Sequence, residues 1–149
     1  MSKLTRHFLR LDDLSRDEGV LIIERAIELK AIRANGQRSS ILENITLAMI
    51  FEKSSTRTRV SFEAAMAETG GKAIFLSSSE SQLARGEPPE DTARVLSEMT
   101  DAIMVRTFEH EILNTYAEYA SVPIINGLTN DFHPCQVLAD LLTWFELRG

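Results

Sequence analysis

The hydrophobic and polar residues of the chain alternate between two spacings, one typical of helices and one typical of buried strands. Helical spacing first appears over residues 15–36, where Ser15 stands at the N-cap position, acidic residues fill the first turn and Gly36 follows the last turn. The next run, ITLAMIF (45–51), is short, apolar and partly β-branched. Such a run is typical of a strand that is buried on both faces of a sheet.

The same alternation continues to the end of the chain. It predicts strands at 72–77, 101–107 and 122–127, and helices at 56–69, 90–99, 109–120 and from Pro134 onward. The last helix carries an apolar stripe formed by Val137, Leu138, Leu141, Leu142 and Phe145. Strands that alternate with helices form βαβ units. We therefore predict an α/β fold over residues 1–149, with a doubly wound parallel sheet of about four strands and helices on both faces.

Polar residues follow three of the predicted strands, at the point where each strand ends. The first strand leads into Ser54–Thr58, the third ends at Arg106, and the fourth leads to His133 and Gln136. Ligands of open parallel sheets bind outside the carboxyl ends of the strands. If the strand order is 2-1-3-4, these three segments lie side by side and predict one binding pocket.

The start of the second predicted helix breaks a stability rule. Ser55 and Thr56 suit a helix N-cap, but Arg57 and Arg59 place positive charge at the end of the helix dipole that favours negative charge. Free backbone N–H groups, hydroxyls and arginines together form an anion site. The alternative is an ordinary capped helix with surface arginines, in which Arg59 pairs with Glu63. Arg106 at a second strand end favours the anion site.

His133 and Gln136 are three residues apart and share one face at the predicted start of the last helix. This spacing suits two polar groups directed at one substrate, although a lone histidine in a loop is more commonly satisfied by local contacts. Cys135 lies between them. A nucleophilic thiol needs a partner that activates it, and none is apparent nearby. We therefore interpret Cys135 as a small buried thiol behind the site.

Composition narrows the classes of function. The formal net charge of −6 argues against a general nucleic-acid binder. A single cysteine excludes an internal disulfide framework and a multi-cysteine zinc site, and His7 and His110 fall in unrelated segments, so no metal site is predicted. Neither GxGxxG nor GxxxxGK[ST] occurs, which indicates a small phosphate ligand rather than a nucleotide. The residues show no signal-peptide pattern and no membrane-spanning run, so we expect a cytoplasmic protein.

Two motifs carry a family resemblance. STRTRVSFE (55–63) and HPCQ (133–136) resemble the paired signatures of the carbamoyltransferases, and the resemblance extends over nearly the whole chain. The flanking segments FEK (51–53), SQLARGE (81–87) and NGLTNDF (126–132) are similar to the ornithine branch of that family rather than to the aspartate branch.

The resemblance implies a role for each matching residue. The phosphate of carbamoyl phosphate would be bound by Ser55, Thr56, Arg57 and Thr58. Arg106 would bridge the phosphate and the carbonyl oxygen, His133 would donate to that oxygen, and Gln136 would hold the carbamoyl amino group. The family forms trimers, in which Gln82 would reach into the site of a neighbouring subunit.

The resemblance also implies the reaction. The side-chain amine of ornithine would attack the carbamoyl carbon to give citrulline and phosphate, with no cofactor or metal. The family's second, ornithine-binding domain has no counterpart in these 149 residues, so we expect little turnover by this chain alone. Two alternatives stay open: a carbamoyltransferase with another acceptor (aspartate or putrescine), and a non-catalytic trimerising module that binds phosphate.

Overall fold

The described part of the chain contains a sheet of four parallel strands. A computed structural model describes residues 5–77 and 86–148. Its strands are β1 (Thr46–Phe51), β2 (Lys72–Ser77), β3 (Ala102–Arg106) and β4 (Ile124–Leu128), in the order β2-β1-β3-β4. This is the order in which the three predicted polar segments become neighbours. Every strand end lies within two residues of its predicted position.

Helices precede, connect and follow these strands. They are α1 (Arg16–Ala34), α2 (Thr56–Glu68), α3 (Pro89–Ser97), α4 (His110–Tyr119) and α5 (Pro134–Arg148), and a short 3-10 helix at Leu11–Asp13 precedes them. The predicted cap of α1 is present: Ser15 Oγ accepts a hydrogen bond from the Glu18 amide, and the Glu18 carboxylate accepts one from the Ser15 amide.

The sheet divides the hydrophobic core into two layers. Ala48 and Ile50 of β1 pack on one face with buried residues of α3 and α4, namely Ala93, Leu113 and Tyr116. The intervening β1 residues, Leu47, Met49 and Phe51, pack on the other face with Met66 of α2. Helices therefore cover both faces of a parallel sheet, which confirms the predicted α/β architecture.

The apolar stripe of α5 is less buried than its spacing predicts. Val137 and Leu141 are each 40% exposed and Phe145 is 43% exposed. Leu138, Leu141 and Phe145 line an open groove of about 570 Å³ between α5 and α1, and Lys30 of α1 pairs with Glu146 of α5 at 2.6 Å. Periodicity identifies the apolar face of a helix, but it does not show how completely other elements cover that face.

A bulge interrupts the pairing of β3 with β4. Val105 pairs with Asn126 and Arg106 pairs with Leu128, so Gly127 is the additional residue. A Cβ atom on Gly127 would lie 2.3 Å from Met104 Sδ and 3.3 Å from the Val105 carbonyl oxygen. The two strands approach this closely because residue 127 has no side chain.

We expect Gly127→Ala to lower the free energy of unfolding by about 1–3 kcal/mol, because the new methyl must displace buried Met104 or the backbone of β3. The matched control is Gly19→Ala in α1, where nothing lies within 4 Å of the added Cβ. It should raise the free energy of unfolding by about 0.5–1 kcal/mol, because alanine has the higher helix propensity. Urea denaturation measures both changes. Equal effects of the two substitutions would contradict a packing role for Gly127.

Candidate functional site

The loop after β1 is organised by the N-cap of α2. Ser55 has extended backbone dihedrals, and its Oγ accepts a hydrogen bond from the Thr58 amide at 3.3 Å. The same hydroxyl donates to Thr58 Oγ1 at 3.0 Å. The remaining N–H groups of the first turn have no partner within the helix. Serine, threonine and backbone donors are therefore concentrated where the helix dipole attracts an anion.

The two arginines at this helix start have different surroundings. Arg59 donates to the Glu63 carboxylate at 2.8 Å, and its guanidinium lies 3.7 Å from the centre of the Phe75 ring. The alternative of a surface ion pair therefore holds for Arg59. Arg57 is exposed and has no ion pair or side-chain hydrogen bond with any described residue. Its unfavourable position at the helix N-terminus is thus uncompensated among the described residues.

Arg106 connects the end of β3 to this loop. Its Nη1 donates to Thr58 Oγ1 at 3.2 Å, while its Nε is buried without a hydrogen-bond partner among the described residues. Burial lowers the pKa of Arg106, although a guanidinium keeps its charge in a protein. A partly desolvated cation with unused donors is strongly stabilised by an anion.

His133 stands at the start of α5, where its carbonyl oxygen accepts hydrogen bonds from the Gln136 amide at 3.1 Å and the Val137 amide at 3.3 Å. Burial lowers the pKa of the imidazole, and the nearby charge of Arg106 lowers it further, while Asp140 opposes both. The ring is therefore neutral at neutral pH, with one nitrogen as donor and the other as acceptor. The imidazole can therefore form hydrogen bonds without adding a second positive charge to the site.

Gln136 is exposed, and its amide donates to the Asp140 carboxylate at 2.8 Å. Cys135 is mostly buried and its thiol donates to the Asn126 carbonyl oxygen at 3.5 Å. Burial raises the pKa of this thiol to about 11. A protonated thiol is a poor nucleophile, which agrees with the interpretation of Cys135 as a packing residue.

The predicted site residues therefore fall into three groups. Thr58 contacts both Ser55 and Arg106 through hydrogen bonds, and the charge of Arg106 contributes to the lowered pKa of His133. Thr56, Arg57 and Gln136 are exposed at the same carboxyl edge of the sheet, without contact to that group through their side chains. Gln82 lies outside the described residues, so its predicted position stays a prediction.

Other polar residues near the site were not singled out by the sequence patterns. Thr107 donates through its hydroxyl to the Glu52 carboxylate, and the Glu52 amide donates to the Arg106 carbonyl oxygen at 2.9 Å. Asn126 is fully buried within β4. The available signal was a polar residue inside or directly after an apolar strand, where burial requires a hydrogen-bond partner.

The part of the chain that the structure describes contains no group of three or more His, Cys, Asp or Glu side chains placed to hold a metal ion. None of the helices described there has the length and apolar character needed to span a bilayer. The groups that do converge are hydroxyls, backbone N–H groups, a guanidinium and a neutral imidazole. This donor set suits a small anion that also carries a hydrogen-bond acceptor.

Comparison with known families agrees with this chemistry. Residues 6–146 match the family described as aspartate/ornithine carbamoyltransferase, carbamoyl-P binding domain. The chain is 57% identical over 144 residues to the ornithine carbamoyltransferase of Hydrogenovibrio crunogenus, a match that covers 97% of this chain and 48% of the relative. Identity to the ornithine carbamoyltransferase of Chromohalobacter salexigens is 58% over 146 residues, with the same coverage. The chain spans about half the length of the relatives it matches.

Solved structures show the same fold. Ornithine carbamoyltransferase from Burkholderia thailandensis is similar with a TM-score of 0.92 and 53% identity, over 97% of this chain and 50% of that one. The catalytic subunit of M. jannaschii aspartate transcarbamoylase is similar with a TM-score of 0.88 and 34% identity, over 95% of this chain and 47% of that one. Identity is thus higher to the first structure, whereas the fold is shared by both.

We expect the imidazole of His133 to titrate below the ordinary histidine pKa. Arg106→Gln should raise the pKa of His133 because a neighbouring positive charge is removed, whereas Asp140→Asn should lower it further because a stabilising negative charge is removed. A pH series of histidine ring NMR spectra measures both changes. Shifts of the same sign in the two variants would contradict the proximity of His133 to these two charges.

The depressed pKa of His133 also affects stability. As the pH falls, the histidine of the unfolded chain, with a pKa of about 6.5, binds a proton at a higher pH than the histidine of the folded chain does. The stability contributed by the neutral ring is therefore fully present above that unfolded value and is lost as the pH falls through the folded pKa. Urea denaturation of the wild type and of His133→Asn across this pH range should show a steeper loss of stability in the wild type.

Proposed function

The chain belongs to the aspartate/ornithine carbamoyltransferase family, and we propose that residues 1–149 form a carbamoyl-phosphate-binding domain in it. In this proposal the carbamoyl group is transferred from carbamoyl phosphate to the side-chain amine of ornithine, giving citrulline and phosphate. The observation that carries the proposal is the contact of Arg106 with Thr58, which joins two predicted phosphate ligands, one at the end of β3 and one in the first turn of α2.

The phosphate is assigned to the first turn of α2. Ser55 and Thr58 are already joined by their hydroxyls, and the free amides of the turn point along the helix axis toward the loop. Thr56 and Arg57 are exposed at the same turn. A bound phosphate converts the unfavourable charge of Arg57 into a charge-assisted contact, which explains why an arginine that has no partner among the described residues occupies this position.

The carbonyl oxygen of the carbamoyl group is assigned to Arg106 and His133. As the amine nitrogen bonds to the carbamoyl carbon, negative charge develops on the carbonyl oxygen. The bond between that carbon and the phosphate oxygen then breaks, and the departing phosphate takes the proton that the amine nitrogen loses. A guanidinium and a neutral N–H donor stabilise that charge, which is often the largest contribution to catalysis. Gln136, whose amide now contacts Asp140, is assigned to the carbamoyl amino group.

Ornithine is favoured over aspartate as the acceptor by the comparisons. The relatives at 57–58% identity are named ornithine carbamoyltransferases, whereas the aspartate transcarbamoylase subunit is 34% identical. The described residues supply groups for the phosphate and the carbamoyl moiety. Binding of ornithine is assigned to the family's second domain, as the resemblance implies.

We expect Arg57→Ala to weaken binding of phosphonoacetamide, in which CH2 replaces the bridging oxygen of carbamoyl phosphate, by about 10- to 100-fold, because a charge-assisted hydrogen bond is lost. Arg59→Ala is the matched control, since Arg59 is already paired with Glu63 and stacked on Phe75. It should bind within about threefold of the wild type. Isothermal titration calorimetry measures both affinities.

Thermal unfolding without ligand completes this comparison. Arg57→Ala should unfold at the same temperature as the wild type or slightly higher, because a cation is removed from the positive end of α2. Arg59→Ala should unfold at a lower temperature because it loses an ion pair and a ring contact. Unchanged affinity in Arg57→Ala, or equal losses of affinity in the two variants, would contradict the phosphate assignment.

We further propose that the chain assembles as a cytoplasmic homotrimer that acts in arginine metabolism, with Gln82 contributing to a neighbouring site. These assignments rest on the family resemblance. Support for an assembly comes from the sheet edge: Ile74 of edge strand β2 is 46% exposed, and Val60 of α2, the helix that packs on β2, is 56% exposed. Exposed apolar residues at the edge of a sheet are favourable to cover.

Light scattering on a size-exclusion column tests the assembly. We expect a mass three times the 16.7 kDa of the chain, and Ile74→Lys should reduce that mass toward the monomer. Glu98→Lys is the control, because Glu98 is an exposed residue directly after α3, and this substitution should leave the mass unchanged. A monomeric wild type across the accessible concentrations would contradict the trimer and the role of Gln82 across subunits.

A further inference from the structure

Asn126 is a polar side chain inside an otherwise apolar strand. It is 0% exposed, between Ile125 and the tightly packed Gly127 of the β3–β4 bulge. Burial of an amide costs free energy unless its donors and acceptors find partners. An apolar residue would be the ordinary choice at this position in β4, so the contacts of the amide explain its presence.

Both hydrogens of the Asn126 amide are used. Nδ2 donates to the Leu9 carbonyl oxygen at 2.8 Å and to the Phe132 carbonyl oxygen at 3.3 Å. Oδ1 has no hydrogen-bond partner among the described residues. The described hydrogen bonds of this side chain therefore come from its NH2 group, and one of them ends on the residue that directly precedes His133.

The backbone of Asn126 contacts the other side of His133. Its carbonyl oxygen accepts from the Cys135 thiol at 3.5 Å, two residues after the histidine. The loop itself is closed by Thr129, whose Oγ1 accepts from the Phe132 amide at 3.1 Å. His133 is thus held between two contacts to one buried residue of the sheet, through Phe132 before it and Cys135 after it.

We propose that Asn126 is a positioning residue that fixes His133 for its contact with the carbonyl oxygen of the substrate. The inference rests on the proposed function, in which His133 donates to that oxygen. A neutral imidazole forms a useful hydrogen bond only over a narrow range of distance and angle. A buried strand holds such a group more accurately than an exposed loop does.

A purely structural role for Asn126 gives a different expectation. The side-chain contact to Leu9 joins the amino-terminal segment to β4, where the backbone N–H of Asn126 also donates to the Phe8 carbonyl oxygen at 2.8 Å. If this were its whole role, replacement would lower stability and affect every ligand alike. A positioning role instead affects only ligands that carry the carbonyl group.

The test compares two ligands in the wild type and in Asn126→Leu, which conserves the shape of the side chain and removes its donors. Phosphonoacetamide carries the phosphonate and the amide carbonyl, whereas methylphosphonate carries the phosphonate alone. Asn126→Leu should bind phosphonoacetamide about tenfold more weakly, because the hydrogen bond between His133 and the carbonyl oxygen of the ligand is lost. Its affinity for methylphosphonate should stay within about twofold of the wild type, which also shows that the variant is folded.

A double-mutant cycle shows whether Asn126 acts through His133. His133→Ala should lose the preference for phosphonoacetamide over methylphosphonate, and adding Asn126→Leu to it should cost no further affinity. Independent sites add their effects, whereas residues that act through one contact do not. Additive losses in the double variant would overturn the proposal.

Asn130→Ala is the matched control in the same loop. Asn130 is exposed, and its amide donates to the Glu109 carboxylate at 3.1 Å rather than toward His133. Both affinities should match the wild type. If Asn126→Leu fails to bind methylphosphonate, Thr129→Val provides the second route, because it removes the hydroxyl that accepts from the Phe132 amide. It should show the same selective loss.

The outcomes separate this inference from the proposed function. A wild-type chain that does not bind methylphosphonate overturns the proposed phosphate site and this inference with it. A wild-type preference for phosphonoacetamide that survives both Asn126→Leu and Thr129→Val overturns the inference alone. A preference that both variants lose, and that Asn130→Ala keeps, supports it.

Discussion

The parallel pairing of β1 with β3 is the constraint on which the site depends. Phe51 lies opposite Arg106, so the end of β3 is level with the start of the loop that leads into α2. Because the strands are parallel, both carboxyl ends meet at one edge. The Glu52 amide extends the ladder one step by donating to the Arg106 carbonyl oxygen, and the Arg106 side chain then reaches Thr58 at 3.2 Å. Two segments 48 residues apart in sequence thereby form one donor cluster.

This arrangement places cations where they weaken the empty fold. Arg57 opposes the dipole of α2 without a partner among the described residues, and Arg106 is partly desolvated with a buried Nε. The surrounding structure tolerates this because α2 is anchored elsewhere, by Met66 in the core and by the stacking of Arg59 on Phe75. Local conflict with general packing, compensated by the scaffold, is the usual physical signature of a binding site.

Much of the fold follows from local patterns, since strands and helices are specified by periodicity and by caps such as Ser15 and Gly36. The polar residues at the strand ends were also recognisable, because the strand order makes them neighbours. The contacts of Glu52 with Thr107 and of Asn126 with Phe132 were not recognisable from the sequence. Each joins residues that only the folded chain brings together, and no repeating spacing indicates them. The exposure of α5 likewise depends on what packs against it.

The neutral state of His133 determines how this residue can act beside Arg106. Burial lowers the pKa of the ring, and the neighbouring charge of Arg106, which would repel a second positive charge, lowers it further. The imidazole must then act through a directed hydrogen bond, whose strength falls steeply with misalignment, whereas Arg106 acts mainly through its charge, which is less sensitive to direction. Accuracy of position therefore matters more for His133 than for Arg106. Asn126 provides a physical means of achieving that accuracy. Its buried side-chain amide contacts Phe132 just before His133, and its backbone carbonyl oxygen contacts Cys135 just after it.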